Sequence, residues 1–170
     1  MSRKSFAIQV HKDYLKFSAA HFLIFEDGTP ERLHGHNYKV FVEVQTELDE
    51  VGLVIDFKRI KPLVVRILEQ LDERFLVPGE HPGLSVNDED ADSYVIRYQE
   101  KRYLIPKEDV LILPINNSSA ENLAAWIADR LDERIEEIAE KSRIHSLSVG
   151  VEETPGQRGT CSIRYRESAS

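Results

Sequence analysis

Cysteine is nearly absent from this chain: Cys161 stands alone. One thiol excludes an internal disulfide framework and suits a reducing, cytoplasmic setting. Long apolar runs are missing as well. None approaches the roughly 20 residues a helix needs to cross a bilayer, and Met1-Ser2-Arg3-Lys4 is not followed by the apolar stretch of a secretory signal. Neither a membrane association nor a leader is therefore expected. Positive charge is the scarcer sign, with 22 Lys and Arg against 30 Asp and Glu and a net charge of −8. That balance argues against a nucleic-acid partner, because non-specific binding to nucleic acid rests on basic surface. It leaves room for a small anionic ligand in a local basic pocket. No internal repeat and no linker divides the 170 residues, so one domain spanning 1–170 is expected, long enough to build a core.

What is present is a series of short periodic segments. Phe6 to Val10 and Tyr14 to Ala20 read as strands. Phe22 to Pro30, with its Asp27-Gly28-Thr29-Pro30 turn, reads as a surface loop. Tyr38, Val40, Val42 and Val44 alternate with Lys39, Phe41, Glu43 and Gln45 in a strand ending near Glu47. Asp49 to Gly52 reads as a hairpin turn into Leu53-Val54-Ile55. Asp56 can cap a helix whose apolar face is Ile60, Leu63, Val64, Ile67, Leu68 and Leu71, with Pro62 tolerable if that helix starts late. Within 84–112, an acidic turn from Asn87 to Ser93 precedes Tyr94–Tyr98 and Arg102–Ile105, an inserted hairpin expected to be surface decoration or a subunit contact. Val110–Leu113 reads as a further strand. Ser118 or Ser119 can cap a second helix, striped by Leu123, Ala124, Ile127, Leu131, Ile135 and Ile138; Trp126 reads as packing. His145–Val151 and Thr160–Tyr165 read as the last strands, around a Pro155–Gly159 turn, and Glu167–Ser170 as a frayed tail. The order predicts an α+β domain: an antiparallel sheet with two helices packed on one face, plus the inserted hairpin.

The chemistry concentrates in Glu31-Arg32-Leu33-His34-Gly35-His36-Asn37-Tyr38 and in Phe17-Ser18-Ala19-Ala20-His21. On a strand starting near His34, His34 and His36 face one side. His21, ending the neighbouring strand-like run, can join them. Three imidazoles converging on one ion suit zinc, whose catalytic sites keep a fourth position open. Gly35 between them lets a ligand or another backbone come close. Taken alone, a His-x-His pair is more often polar surface or hydrogen-bonded packing.

These two runs together resemble the 6-pyruvoyl-tetrahydropterin and 6-carboxy-tetrahydropterin synthase family, over most of the chain except the extreme N-terminus and 84–112. The resemblance implies the tunnelling fold, whose subunits join their sheets into a barrel around a trimer, with two trimers stacked as a homo-hexamer. It implies zinc on His21, His34 and His36, and a small pterin substrate anchored by Glu153. A carboxylate there can accept two parallel N–H bonds from the pterin edge. Glu152 is the neighbouring alternative, and the two glutamates could instead be a solvated acidic pair.

The departures from the family pattern matter most. Pro30 stands where the family carries its proton-transferring cysteine, and Cys161 lies far away near the C-terminus and reads as a small buried residue. Glu31 gives Glu-x-x-His-Gly-His, similar to a variant subgroup in which glutamate replaces cysteine and the dihydroneopterin side chain is cleaved to a 6-hydroxymethyl group. With Glu31 as the base, Asp72 matches the family's aspartate and would be an accessory acid–base group, but Glu73 replaces the family's histidine. Either Glu73 takes part or that relay is lost; His81 reads as surface. The resemblance thus implies a zinc-dependent lyase acting on 7,8-dihydroneopterin or its triphosphate. A 6-pyruvoyl- or 6-carboxy-forming synthase is the alternative enzyme, and a non-catalytic pterin-binding relative the third reading. Ser118 and Ser119, at a helix N-terminus, can serve as caps or help hold a ligand.

Overall fold

The alternation through Tyr38, Val40, Val42 and Val44 builds the central strand of the computed structural model, which describes residues 4–88 and 91–165. That strand, β3 (His34–Thr46), is long enough for two partners on one side. Strand β1 (Phe6–Val10) pairs with its second half and β2 (Lys16–His21) with its first, both antiparallel. Helix α1 (Phe57–Leu68) leads to β4 (Arg74–Pro78), and three short strands follow: β5 (Leu84–Asn87), β6 (Ser93–Tyr98) and β7 (Lys101–Pro106). Then come β8 (Val110–Leu113), α2 (Ala120–Asp132), β9 (Ile144–Thr154) and β10 (Gln157–Arg164). The main sheet runs β10-β9-β3-β2-β4-β8, with β1 on β3; β5-β6-β7 form a separate sheet. No helix among the described residues is long and apolar enough to cross a membrane.

The fold is α+β with two α-helices among the described residues, and the main sheet is mostly antiparallel. Its far edge departs from the expected pattern, because β4 runs parallel to both β2 and β8. Strand β4 was not legible as alternation because both of its faces are buried. Leu76 joins the large core beneath the helices, while Phe75 and Val77 join a second core with Phe22, Ile24, Ile96, Tyr98 and Val110. A strand covered on both sides reads as a continuous apolar run. The same second core corrects the expectation for Phe22–Pro30. The segment is a loop, but Phe22 and Ile24 are buried under the small sheet, and only its outer part, such as Phe25, is exposed.

Three other expectations are corrected. Helix α1 does not start late: Asp56 caps it by accepting from the Lys58 N–H at 2.8 Å, and Pro62 lies inside. Pro62 is on the exposed side, so the carbonyl it leaves unpaired can be hydrated. Leu53–Ile55 forms no strand, although Val54 and Ile55 are buried. Helix α2 stops at Asp132; Ile135 stays buried in the 3-10 turn Ile135–Glu137, and Ile138 just after it. That tighter turn brings positions three apart onto one side. The tail 167–170 and residues 89 and 90 of the acidic turn lie outside the described residues.

Helix α2 approaches the sheet through Gly159 on β10. A Cβ there would stand 2.5 Å from the Glu121 nitrogen and 2.7 Å from the Ala120 carbonyl carbon. Gly159→Ala should therefore push back the start of α2 and cost about 1–3 kcal/mol, as overpacking does. Urea unfolding measures this, and an unchanged midpoint would mean that the helix seat is not set by Gly159.

Candidate metal centre

Strand register brings the histidines together. His21 lies directly opposite His34, and Ala19 opposite His36. Alternation then turns all three imidazoles to the side that carries Phe17 and Tyr38. Gly35 between them faces β2, where a Cβ would sit 3.0 Å from the Ala19 carbonyl oxygen. The close approach it permits is that of the neighbouring strand.

One ligand nitrogen from each ring lies within 4.8 Å of the others. His21 is buried, His36 half-buried and His34 exposed, so the cluster is closed below and open on one side. The Nδ1 atoms of His21 and His34 face carbonyl oxygens, Ser118 at 2.9 Å and Arg32 at 2.8 Å. A carbonyl only accepts, so each Nδ1 carries the proton and leaves an Nε2 lone pair for the cluster. For His21 that Nε2 is buried with no hydrogen-bond partner. A buried lone pair without a donor is costly, and a cation between the rings satisfies it. The donor set therefore fits a metal ion. Burial pushes the His21 pKa down to about 4, with smaller downward contributions from His34 and His36. His21 is thus neutral near pH 7, the form that ligates.

Two carboxylates flank the rings. Glu31 Oε2 is 4.0 Å from His34 Nε2, and the Leu23 N–H donates to the same oxygen at 3.2 Å. Glu153 Oε1 is 3.9 Å from His21 Nε2 and accepts a long 3.5 Å bond from the Tyr38 hydroxyl. Burial, and then the charge of Glu153, pushes the Tyr38 pKa up, so the phenol keeps its proton. Along β9, Glu153 shares a face with Val149 and Val151, whereas Glu152 pairs with Arg158 at 3.2 Å. It is Glu153 that borders the histidines.

Asp72 is placed differently. Its Oδ1 accepts from the Ser18 N–H at 2.7 Å, and Glu73, at a φ of 57°, donates its own N–H to the Ser18 carbonyl. The two residues fasten the start of β4 to β2, and neither has a hydrogen bond to the histidines, Glu31 or Glu153 among the described residues. Glu73 does line an open groove with Ser18, Gly35, His36, Asn37 and Asp109. Cys161 packs against the large core, where burial raises its thiol pKa; it is not part of the cluster. His81 accepts from the Gly83 N–H, Ser119 is the α2 cap, and Trp126 is packed under Arg130.

The role of the Ser118 carbonyl in orienting His21 is invisible in the sequence, because a main-chain oxygen has no side-chain signature. The fully buried Ser118 hydroxyl, which donates to the Phe22 carbonyl at 2.9 Å, fixes the same junction. Asn117 clamps Ile24 from both sides, accepting its N–H at 3.2 Å and donating to its carbonyl at 2.8 Å.

Residues 9–164 match the family described as 6-pyruvoyl tetrahydropterin synthase. A Methanocaldococcus jannaschii protein, provisionally named 6-carboxy-5,6,7,8-tetrahydropterin synthase, is 36% identical over 90% of this chain and 92% of its own. The crystal structure of 6-pyruvoyl tetrahydropterin synthase from Plasmodium vivax superposes with a TM-score of 0.87 at 32% identity, covering 96% of this chain and 100% of that one. A second structure of that protein carries alanine in place of a glutamate described as a catalytic residue. A dihydroneopterin monophosphate aldolase from Pyrococcus furiosus is 38% identical over a shorter stretch, 35% of this chain and 50% of its own.

The depressed His21 pKa makes stability pH-dependent in metal-free protein. The folded state holds fewer protons on His21 than the unfolded chain. Its contribution is therefore present above the ordinary value of 6.5 and is lost as the pH falls toward about 4. The loss should reach at most about 3 kcal/mol. His21→Gln should flatten that window in chelator-treated protein followed by urea unfolding; an unaltered slope would remove His21 as its source.

Proposed function

The chain belongs to the 6-pyruvoyl tetrahydropterin synthase family, and from this we propose that it is a zinc-dependent lyase acting on the side chain of 7,8-dihydroneopterin or its triphosphate, cleaving it to 6-hydroxymethyl-7,8-dihydropterin. The observation that carries the reading is the placement of Glu31. Its carboxylate stands 4.0 Å from His34 Nε2, on the segment that delivers two metal ligands, where the chain has Pro30 and no cysteine. The glutamate described as catalytic in the Plasmodium vivax enzyme and the aldolase name of the Pyrococcus furiosus relative support the same choice.

His21, His34 and His36 would hold the zinc, which when bound supplies Lewis-acid polarisation of the side-chain oxygens. Glu31 acts as general base, taking the proton of the second side-chain hydroxyl. As that O–H becomes a carbonyl, the bond to the first side-chain carbon breaks and its electron pair passes into the pterin ring. A proton returned to the first carbon leaves the hydroxymethyl group, and the two outer carbons depart as an aldehyde. Glu153 holds the pterin edge, with the Tyr38 hydroxyl beside its carboxylate at 3.5 Å. Asp72 serves as an accessory group by holding Ser18, and so the strand that ends in His21. The assembly proposed is a homo-hexamer, a dimer of trimers, in a cytoplasmic setting.

A second reading, a 6-carboxy- or 6-pyruvoyl-forming synthase, is favoured by the names of the Methanocaldococcus jannaschii and Plasmodium vivax proteins. A non-catalytic pterin binder is favoured by Glu73 in the histidine's place. Product mass separates the first two, and turnover excludes the third. With zinc matched at about one per chain, Glu31→Gln should lose two or more orders of magnitude in kcat, as loss of a general base does, and Cys161→Ser almost none. The reverse result would remove Glu31 and the cleavage route with it.

Glu153→Gln keeps the shape of the anchor but loses its charge. Pterin affinity should fall by about 1.5–3 kcal/mol, with zinc content unchanged. If calorimetry finds the loss in Glu152→Gln instead, the anchor is the neighbouring residue.

A further inference from the structure

We propose that the small inserted sheet sets the position of Glu31 and that Lys101 is its positioning residue; this rests on the reading of Glu31 as the base. The tip of the β6–β7 hairpin is a two-residue turn, Gln99-Glu100, between the paired residues Tyr98 and Lys101, with Gln99 at a φ of 49°. Three side chains from this tip converge on the loop that ends in Glu31. The Tyr98 hydroxyl and the Gln99 amide each donate to the Gly28 carbonyl at 2.9 Å, and the Lys101 ammonium donates to the main-chain carbonyl of Glu31.

The loop is therefore held from two directions. Asn117 and Ser118, leading into α2, fix its beginning at Ile24 and Phe22. The inserted sheet fixes its end. At Glu31 the N–H is tied to the Leu23 carbonyl at 2.8 Å, the carboxylate receives the Leu23 N–H, and Lys101 takes the carbonyl. Without Lys101, the hydrogen bonds of the Glu31 main chain among the described residues reduce to the one with Leu23, a partner on the same loop. Lys101 is half-buried, so this charged bond is partly shielded from water. A base must sit within hydrogen-bond reach of its proton, and a displacement of about 1 Å costs on the order of 100-fold.

The test compares Lys101→Met, Lys101→Arg and Glu31→Gln, singly and as the double variant Lys101→Met with Glu31→Gln, all zinc-loaded and assayed on 7,8-dihydroneopterin. Lys101→Met should lower kcat by about 10- to 100-fold and leave KM within about threefold. Amide exchange at Leu23 and Glu31 should quicken, zinc content should hold, and Lys101→Arg should restore most of the rate. In the Glu31→Gln background, Lys101→Met should cost nothing further, because a residue acting through Glu31 has nothing left to place. An equal loss in both backgrounds, or unchanged amide exchange, overturns the proposal. Should Lys101→Met fail to fold, Gln99→Gly removes another donor while suiting the positive φ, and a smaller loss in kcat with the same exchange signature is expected. A fully active Glu31→Gln refutes the base assignment, while the exchange measurement still decides whether the sheet holds the loop.

Discussion

The hydrogen bond from His21 Nδ1 to the Ser118 carbonyl is the contact on which the site depends. It joins the end of β2 to the residue preceding the α2 cap, 97 positions further along the chain. Because the acceptor is a carbonyl, it fixes both the ring plane and the tautomer of the deepest imidazole. Everything that seats α2 then bears on the cluster. Gly159 lets the helix start approach the sheet, and Ser118 bonds back to Phe22, the residue after His21. Core packing and the geometry of the histidine cluster are one problem here.

The main features were legible because they follow local rules. Strand alternation placed His34 and His36 on one side, Asp56 announced α1, and the order of segments gave the two-helix α+β arrangement. What escaped were features decided at a distance. Strand β4 carries apolar residues for two different cores and so has no period of two. Pro62 is accommodated because that side of α1 faces water, which a linear pattern does not reveal. The flank occupied by Glu153 rather than Glu152 depends on the β9 pairing with β3.

The inserted segment is shaped by both local and distant contacts. Strands β6 and β7 were visible, but β5 and the place of the sheet were not. What reads as a surface hairpin is a three-stranded sheet packed over Phe22 and Ile24, with its tip against the loop that carries Glu31. Decoration and support for the Glu31 loop look the same in one dimension, because the distinction lies in which side chains of the tip find carbonyl acceptors.

The parallel pairing of β4 with β8 has a consequence for chain length. Parallel neighbours cannot be joined by a tight turn; after Pro78 the chain must travel back past the strand before β8 can begin at Val110. Such a return takes on the order of a dozen residues. The small sheet is thus carried on a connection the topology requires. Its length is open to change in relatives or by design, but only down to that minimum. A shorter link would have to reverse β8 or detach it, exposing the second core at the edge of the sheet.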